Sequence, residues 1–466
     1  MTAEVKRVPV YCYQCVAGPD LLTVKVRDGV ATEIEPNFTA AQIHPGAGKV
    51  CVKAYGLVQK TYNPNRILRP MKRTNPKKGR GEDPGFVPVS WEEALEVVSG
   101  KLNEIRARGV TDEHGYPRVA ASFGGGGTPT YYMGTFPAFL AAWGPVDFSF
   151  GSGQGVKCYH SEHLYGELWH RAFTVAADTL TTKYLVSFGS NVEASGGVCG
   201  VARHAQARVE GIKRVQVEPH LSVTGGCSAQ WVPIKPKTDA AFMFGMLNVM
   251  LYGATRDKLD LDFLKHQTSS PYLVGPNGFF LRDSESRKPL IYDLKRGATV
   301  SWDTPGTDPA LEGRFEVSGV EVGPDEVTWR HERIEASTSF SALVTHIKPY
   351  TPEWADKVCD IRPGTVRRIA DEFLDHAQVG ATTVIDGVEL PLRPVAITLG
   401  KTVSNGWGGY EACWARTLIC TMVGAIETPG GILGTTVRLN RPALKRQYSL
   451  VRDKDGFMVY PMNPTD

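Results

Sequence analysis

The 466-residue sequence lacks the features that mark several large classes of protein. No apolar run approaches the roughly 20 residues that span a bilayer, and the opening stretch MTAEVKRVPVYC has neither the apolar core of a secretory signal nor a twin-arginine motif. The 52 basic residues nearly balance the 49 acidic ones, so the charge gives no reason to expect a nucleic-acid partner. We therefore expect a globular chain that binds its small-molecule ligands locally and faces the cytoplasm, unless a partner carries the export signal.

The nine cysteines show no regular spacing, which argues against a disulfide framework. Cys12 and Cys15 lie on a short stretch that ends in a tight turn at Gly18 and Pro19. Cys51 could fold back against this stretch. Three thiolates are one short of a closed zinc site or an iron–sulfur cube. These residues alone leave two interpretations open, a metal site or a chance pair of cysteines in a β-hairpin.

Apolar runs that end in loops of Gly, Asn, Ser or Pro recur along the sequence, and each precedes an amphipathic stretch. They lie at 118–132, 183–197, 213–222 and 393–409. This alternation predicts an α/β fold with a doubly wound parallel sheet. Residues 8–35 predict short β-strands, 267–335 predict an insertion of further short strands, and 90–109 predict a helix that Ser90 and Glu93 cap.

The carboxyl edge of the predicted sheet suits a large phosphate-bearing cofactor, because loop amides and helix N-termini point at an anion there. No loop matches the GxGxxG pattern of a dinucleotide-binding unit or the GxxxxGK[ST] pattern of a P-loop. The sequence therefore gives little support to a nicotinamide or ATP site.

A set of motifs occurs in a characteristic order along the whole chain. It comprises the CxxC pair, GKVCVKAYGLVQKTYNPNRILRPMKR, SWEEALEVV, FGSN, VEPHLSVTGGCSAQWVPIKPKTDAAFMFGML, TPEWADKV and GWGG…IETPGGILG. Together they resemble the large subunits of the molybdopterin oxidoreductase (dimethyl sulfoxide reductase) family. The resemblance implies a small iron–sulfur domain at 1–70 and a pterin-binding α/β region at 71–466. The C-terminal β-barrel domain of the family is missing, so we expect either a fragment or a separately encoded domain.

The resemblance also implies a molybdenum or tungsten ion held by two molybdopterin guanine dinucleotides, and an iron–sulfur cluster. It maps three cluster ligands onto Cys12, Cys15 and Cys51. The cysteine that the family adds to these falls at Pro19 here, and Asp20 follows one residue later. A carboxylate oxygen can ligate iron. A [4Fe–4S] cluster with Asp20 as a ligand is therefore expected, while a three-iron cluster, a lost cluster and an ordinary turn role for Asp20 stay open.

The predicted metal ligand is Cys158, which matches the position where the family uses Cys, selenocysteine, Ser or Asp. His160, Glu162 and His163 follow it and could move the proton that accompanies oxygen transfer. Lys53 matches a family lysine between the cluster and one pterin, where a cation would assist electron passage. The alternative for Cys158 is a small buried thiol, and for His160, Glu162 and His163 it is a structural polar group. The alternative for Lys53 is an ordinary surface lysine.

The resemblance assigns the guanine dinucleotides to residues at four strand ends. These are Gly189, Ser190, Asn191, Glu218, His220, Lys237, Thr238, Asp239, Gly400, Lys401 and Asn405. The Asp239 carboxylate could accept two hydrogen bonds from a guanine edge. Lys237 stands where the family usually has Gly, which makes backbone approach to a phosphate less certain, although its ammonium could help. Ordinary turn chemistry is the alternative for each of these residues.

The fold does not determine the reaction, and three functions compete. The preferred one is an enzyme component that oxidises an organic substrate with oxygen from water and passes electrons to a ferredoxin-like iron–sulfur partner and quinone, with a small membrane-anchor subunit on the cytoplasmic face. The stretch VYCYQCVAGPDLLTV resembles the branch of the family that oxidises phenylacetyl-CoA to phenylglyoxylate in anaerobic aromatic degradation. The alternatives are a respiratory reductase of a sulfur or arsenic oxyanion (thiosulfate, polysulfide or tetrathionate) and a non-catalytic electron-transfer or scaffold subunit.

Overall fold

The computed structural model describes eleven stretches of the chain. They are residues 4–12, 21–43, 46–123, 139–140, 142–150, 162–170, 172–253, 256–323, 327–437, 451–452 and 458–459. The chain divides into two compact units. The first comprises Met1–Ser152, Gly196–Ala202 and Asn440–Asp466, and the second comprises Gly153–Ser195 and Arg203–Leu439.

The first unit begins with a three-stranded antiparallel sheet of order β1-β2-β3. Its strands are β1 (Val5–Tyr11), β2 (Leu21–Arg27) and β3 (Val30–Pro36). Leu22 and Ile34 bury their side chains on one face of this sheet together with Ala54, which lies on the 3₁₀ turn Val52–Gly56. Phe38–Ala40 form another 3₁₀ turn. Helix α1 (Leu57–Thr61) directly follows the turn Val52–Gly56. The short β-strands predicted for 8–35 are therefore present.

The rest of the first unit consists of small elements. These are β4 (Met71–Arg73) paired with β5 (Phe86–Pro88), helix α2 (Trp91–Ala107), and β6 (Ala120–Phe123) paired in parallel with β7 (Asp147–Phe150). The Ser90 hydroxyl accepts a hydrogen bond from the Glu93 backbone N–H at 3.1 Å, as predicted. The Glu93 carboxylate instead binds Lys72 at 2.9 Å. The strand predicted within 118–132 is β6, and it pairs with β7 rather than with the parallel sheet of the second unit.

The second unit is built on a four-stranded parallel sheet of order β11-β10-β9-β19, in which β19 is Val395–Leu399. Its first three strands and neighbouring elements are α3 (Glu162–His170), β8 (Ala172–Ala177), β9 (Tyr184–Phe188), α4 (Val192–Ser195), α5 (Gly197–Val209), β10 (Lys213–Val217), α6 (Val223–Gly226) and β11 (Gln230–Val232). The beginning of α5, as far as Ala202, is assigned to the first unit. All five residues of β9 are buried, which is typical of a parallel strand covered on both faces. Three of the four predicted strand–loop segments thus contribute to this sheet.

Helices cover the sheet and continue its core. They are α7 (Asp239–Asn248), α8 (Leu261–His266), α9 (Ser339–Ile347), α10 (Pro352–Val358) and α11 (Thr365–Ala377), with a π turn at Val249–Gly253 and a 3₁₀ turn at Arg256–Lys258. Phe188 of β9 meets Phe242 of α7 edge to face. Gly245 of α7 lies so close to Ala355 that an added Cβ would come within 2.6 Å of the alanine methyl.

The segment predicted as an insertion has its own strands and a small core. They are β12 (Leu273–Val274), β13 (Leu290–Asp293), β14 (Ala298–Ser301), β15 (Arg314–Val322) and β16 (Thr328–Thr338). Strands β12, β16 and β15 form one sheet, and Leu281, Leu290 and Val317 pack among them.

The chain then returns to the parallel sheet. The remaining elements of the second unit are β17 (Thr382–Ile385), β18 (Val388–Pro391), β19 (Val395–Leu399), α12 (Lys401–Ser404), α13 (Gly409–Met422) and β20 (Ile432–Val437). Strands β21 (Val451–Arg452) and β22 (Met458–Val459) pair with each other and belong to the first unit. Strand β20 pairs with β8 in antiparallel fashion. In the part of the chain that the structure describes, no helix has both the length and the apolar character to cross a bilayer.

Candidate functional site

The carboxyl ends of the parallel strands bring the predicted cofactor residues to one edge of the sheet. Residues 189–191 follow β9, Glu218 follows β10, 235–239 follow β11, and 400–405 follow β19. The chain runs from β9 to β10 on one side and later adds β19 on the other side of β9. In open α/β sheets, ligands bind in the crevice at such a reversal of strand order. This crevice is the candidate functional site.

Two glycines bring the walls of the crevice into backbone contact. The Gly400 N–H donates to the Phe188 carbonyl at 2.7 Å, and the Thr402 hydroxyl donates to the Gly189 carbonyl at 3.3 Å. A Cβ on Gly400 would lie 2.2 Å from the Gly189 carbonyl oxygen. Gly189 has φ +60, and its Cβ would lie 2.8 Å from Val403. Both positions therefore require glycine, which leaves backbone rather than side chains at this point of the crevice.

On the β9 side, the loop is held by a buried polar network. The Asn191 side-chain oxygen accepts hydrogen bonds from the Thr224 backbone N–H at 3.3 Å and from its hydroxyl at 3.1 Å. Glu193 binds Arg208 at 2.8 Å and Arg214 at 2.9 Å, and it also accepts from Thr224. Burial opposes the charge on Glu193, but the hydrogen bonds from Thr224 and Arg214 outweigh it and hold the pKa of Glu193 below its ordinary value.

Glu218 is buried at the end of β10 and fixes the loop that follows. Its carboxylate accepts from the Ser222 backbone N–H at 2.8 Å and from the Gln216 side-chain amide at 2.9 Å. The same amide donates to the Ser190 carbonyl at 3.0 Å and so links the β9 and β10 loops. A carboxylate has room for further donors on both oxygens. His220 is exposed on this loop.

Lys237 ties the loop after β11 to the loop after β19. Its ammonium donates to the Thr402 carbonyl at 2.6 Å and to the Asn405 carbonyl at 2.9 Å. Its backbone has φ +66, the left-handed region that a glycine would occupy without strain. Two of the three N–H donors of this ammonium are therefore used by loop carbonyls, and its contact with a phosphate stays a prediction. Lys401 is exposed at the start of α12.

Thr238 and Asp239 begin helix α7 at the same edge. The Thr238 hydroxyl donates to the Lys235 carbonyl at 2.7 Å. The Asp239 carboxyl is buried, and this burial raises its pKa, although its own backbone N–H and Lys237 act in the opposite direction. A buried carboxyl that is costly to ionise suits a ligand that supplies hydrogen-bond donors.

Two buried acceptors at the edge have no hydrogen-bond partner among the described residues. They are the side-chain oxygens of Asn405 and Gln216. Buried polar atoms in proteins are almost always paired, so these oxygens point to a ligand with N–H or O–H donors. The buried Asp239 carboxyl and these acceptors together fit a nucleotide-bearing cofactor at the sheet edge.

Two predicted cluster ligands border the small core of the first unit. Cys12 follows β1 and packs against Leu22 and Ile34. Cys51 precedes the turn that carries the buried Ala54, and the Cys51 carbonyl accepts from the Ala54 N–H at 2.9 Å. Both cysteines therefore lie next to the same core. Lys53 is exposed on this turn.

The other two predicted cluster ligands, Cys15 and Asp20, lie outside the described residues. Within the described stretches, no three side chains of His, Cys, Asp or Glu come together closely enough to hold a metal ion.

The predicted metal ligand Cys158 and its neighbour His160 also lie outside the described residues, as does the side chain of His163. Glu162 begins helix α3, and both of its carboxylate oxygens accept from Arg416 Nη1 at 3.1 Å. This contact with a buried cation favours a structural role for Glu162 over the predicted proton transfer.

Several residues of these networks were not among those predicted from the sequence, and four of them make central contacts. They are Glu193, Gln216, Thr224 and Arg416. An arginine inside the otherwise apolar stretch ACWARTLICTMVG was the available signal for Arg416, since a charged residue there must be paired when buried.

Comparisons with known proteins bear on the whole chain. The family model "Molybdopterin oxidoreductase" matches residues 66–459. The chain is 26% identical to a sulfite dehydrogenase subunit of Allochromatium vinosum over 92% of its own length and 43% of that protein. It is 26% identical to the molybdopterin-containing subunit of arsenate respiratory reductase from a Shewanella species, over 84% of its own length and 39% of that protein.

Among solved structures, acetylene hydratase from Pelobacter acetylenicus aligns with a TM-score of 0.56 and 16% identity, over 92% of this chain and 44% of that one. This likeness supports the α/β fold. The chain spans about two fifths of the length of these relatives. Their names do not support phenylacetyl-CoA as the substrate.

Proposed function

This chain belongs to the molybdopterin oxidoreductase family, and on that premise we propose that it is the catalytic subunit of a molybdenum or tungsten enzyme that acts on a sulfur or arsenic oxyanion. One observation carries the proposal. Four loops meet at the reversal of strand order, are held together by close glycine contacts, and present a buried carboxyl and two acceptors that have no partner among the described residues. The substrate class is supported by relatives named for sulfite and arsenate.

The residues at the crevice would hold the cofactor. Gly189 and Gly400 let the two loops that form the walls of the crevice pack against each other, and the Asp239, Gln216 and Asn405 oxygens would accept hydrogen bonds from its guanine or ribose groups. When bound, the bis(molybdopterin guanine dinucleotide) centre supplies the metal that exchanges electrons and oxygen with the substrate. Cys158 is the proposed metal ligand, and His160 the proposed proton carrier.

The chemistry is a balanced oxygen transfer. Oxidation of sulfite consumes water and yields sulfate, two protons and two electrons. Reduction of arsenate consumes two protons and two electrons and yields arsenite and water. The protein must therefore move protons at the substrate while electrons leave or arrive by another route.

We propose that this route is an iron–sulfur cluster held by Cys12, Cys15, Cys51 and Asp20, with Lys53 beside it. The names of two relatives contain the word subunit, which supports an assembly of several chains. A ferredoxin-like iron–sulfur subunit is the proposed electron partner, and a small membrane-anchor subunit on the cytoplasmic face completes the proposal.

Metal analysis and a dye-linked assay test the function. The purified protein should contain molybdenum or tungsten by plasma mass spectrometry. It should then reduce a dye with sulfite or arsenite, or oxidise a reduced dye with thiosulfate or arsenate. Phenylacetyl-CoA serves as the contrasting substrate, and turnover with it alone would replace the oxyanion proposal. A protein that binds no such metal would be a non-catalytic subunit.

A further inference from the structure

The buried guanidinium of Arg416 has an unpaired edge. Arg416 lies within α13 and is 1% exposed. Its Nη1 atom binds the Glu162 carboxylate, while Nε and Nη2 are buried and have no hydrogen-bond partner among the described residues. Nε and Nη2 form one edge of the planar guanidinium, with two N–H bonds that point in the same direction. A whole charged edge is therefore buried without an acceptor in the part of the chain that the structure describes.

The other buried arginines of the described chain differ in this respect. Arg393 uses all three nitrogens, on carbonyl oxygens and on Asp260 at 2.7 Å. Arg214 uses Nη1 on Glu193 and Nη2 on His204, and it leaves Nε unpaired. Arg416 uses Nη1 alone. Of these three arginines, Arg416 therefore has the most nitrogens without a hydrogen-bond acceptor among the described residues.

We propose that the Nε–Nη2 edge of Arg416 binds an oxyanion. This edge matches two oxygens of a sulfate, arsenate or phosphate group, and such paired, charge-assisted hydrogen bonds are among the strongest in proteins. An unpaired buried charged donor is costly, so a ligand at this edge removes a penalty as well as adding bonds. Glu162 holds the opposite side of the guanidinium and is a positioning residue.

The packing of α3 on α13 fixes this arrangement. Tyr165 of α3 and Tyr410 of α13 place their ring centroids 5.3 Å apart, and the Cys413 thiol donates to Glu162 at 3.7 Å. Glu162 also follows the proposed metal ligand Cys158 by four positions in the sequence. The choice of sulfur and arsenic oxyanions rests on the proposed function, whereas anion binding at Arg416 does not.

Titration calorimetry with sulfate and arsenate tests the proposal at constant ionic strength, on cofactor-free and cofactor-loaded protein. The wild type should bind saturably. Arg416→Lys keeps the charge but not the two-pronged edge and should weaken binding about tenfold or more. Arg393→Lys is the matched control, because it alters a fully paired buried arginine and should leave the dissociation constant unchanged. Circular dichroism verifies that each variant is folded.

The outcomes separate the possible sources of the anion. Binding to both forms identifies a free oxyanion, whereas binding that disappears on cofactor loading identifies a cofactor phosphate at the same edge. The absence of saturable binding to the wild type, or equal binding by Arg416→Lys, would overturn the proposal. If Arg416→Lys does not fold, the Arg416→Met/Glu162→Gln pair removes both charges together, and anion binding retained there would also overturn it. Anion binding without turnover would contradict the proposed function alone.

Discussion

At the residue scale, the crevice depends on two glycines, Gly189 and Gly400, which have no Cβ atom. The Gly400 hydrogen faces the Gly189 carbonyl oxygen, and the loop on each side has no room for a methyl group. A close approach of this kind differs from a glycine that only supplies a positive φ, since here the neighbouring backbone must move to admit a side chain.

We expect Gly400→Ala to lower the free energy of unfolding by about 1–3 kcal/mol, because its Cβ would overlap backbone that cannot rotate away. The variant should also lose pterin during gel filtration. Thermal unfolding and pterin fluorescence measure the two effects. Gly226→Ala is the control, because no atom lies within 4 Å of the position of its added Cβ. Equal stability of the two variants would show that the loops can separate freely.

His204 makes stability depend on pH. Burial, and then the charge of Arg214, lower its pKa from 6.5 to about 4. The folded state therefore holds His204 neutral, whereas the unfolded chain takes up a proton below about pH 6.5. Stability should fall as the pH drops from about 6.5 to about 4, with a contribution of order 1–3 kcal/mol.

Urea unfolding between pH 4 and 7 measures this dependence, and the window follows from the pKa near 4. His204→Gln should flatten the profile in that window because the amide does not titrate. His220→Gln, at an exposed position, should leave the profile as in the wild type. A profile unchanged by His204→Gln would assign the acid sensitivity to other groups.

At the element scale, the loops are held together by bonds between elements distant in sequence. Lys237 joins the loop after β11 to the loop after β19, and Gln216 of β10 joins its own strand end to the loop after β9. These links make the sheet edge one connected surface rather than four independent loops.

We expect Lys237→Met to release the loop at 400–405 while the sheet stays folded. The two hydrogen bonds from a partly solvated ammonium should contribute about 1 kcal/mol. Hydrogen exchange of 400–405 should accelerate, and cofactor retention should fall. Lys237→Gly loses the same bonds but relieves the backbone at φ +66, so it should be the more stable of the two variants. Unchanged hydrogen exchange of residues 400–405 in both variants would show that Lys237 does not hold this loop in place.

The sequence predicts these elements better than it predicts their partners. Strands β9, β10 and β19 follow from buried apolar runs that end in turn residues, and the parallel order then dictates that their loops meet. The strand at Ala120–Phe123 has the same pattern but pairs elsewhere, because periodicity reports burial and not the identity of the neighbour. Glu162 and Arg416 meet across more than half of the chain, and no local pattern reports such a contact.

At the scale of the whole molecule, the two units carry different proposed cofactors. The cysteines at Cys12 and Cys51 lie in the first unit, and the sheet edge lies in the second. Each unit has its own buried core. The iron and the molybdenum or tungsten should therefore be lost independently.

We expect Cys51→Ser to reduce the iron content while the molybdenum or tungsten content stays near that of the wild type. Gly400→Val should do the reverse, because it disrupts only the second unit. Plasma mass spectrometry measures both metals in each variant. Parallel loss of iron and molybdenum in either variant would mean that one cofactor is needed to retain the other.

Substitution of Asp20 tests the proposed cluster of the first unit. If its carboxylate is a ligand, Asp20→Cys should give an ordinary four-thiolate cube, and Asp20→Ala should favour a three-iron cluster. Electron paramagnetic resonance with iron counting distinguishes the three proteins. Identical spectra and iron contents for the wild type and Asp20→Ala would reduce Asp20 to a turn residue.

The contact between Gly189 and Gly400 also orders events during synthesis. Both walls of the crevice exist only after the ribosome has made β19, which follows β9 by roughly 10–40 s at ordinary elongation rates. Until then β9 lacks its neighbour on one side, and a nascent chain offers the cofactor only one wall. A cofactor that needs both walls can therefore bind only after the chain has been made past Asn405, and a pause in translation before that point would lengthen the exposure of a buried apolar strand.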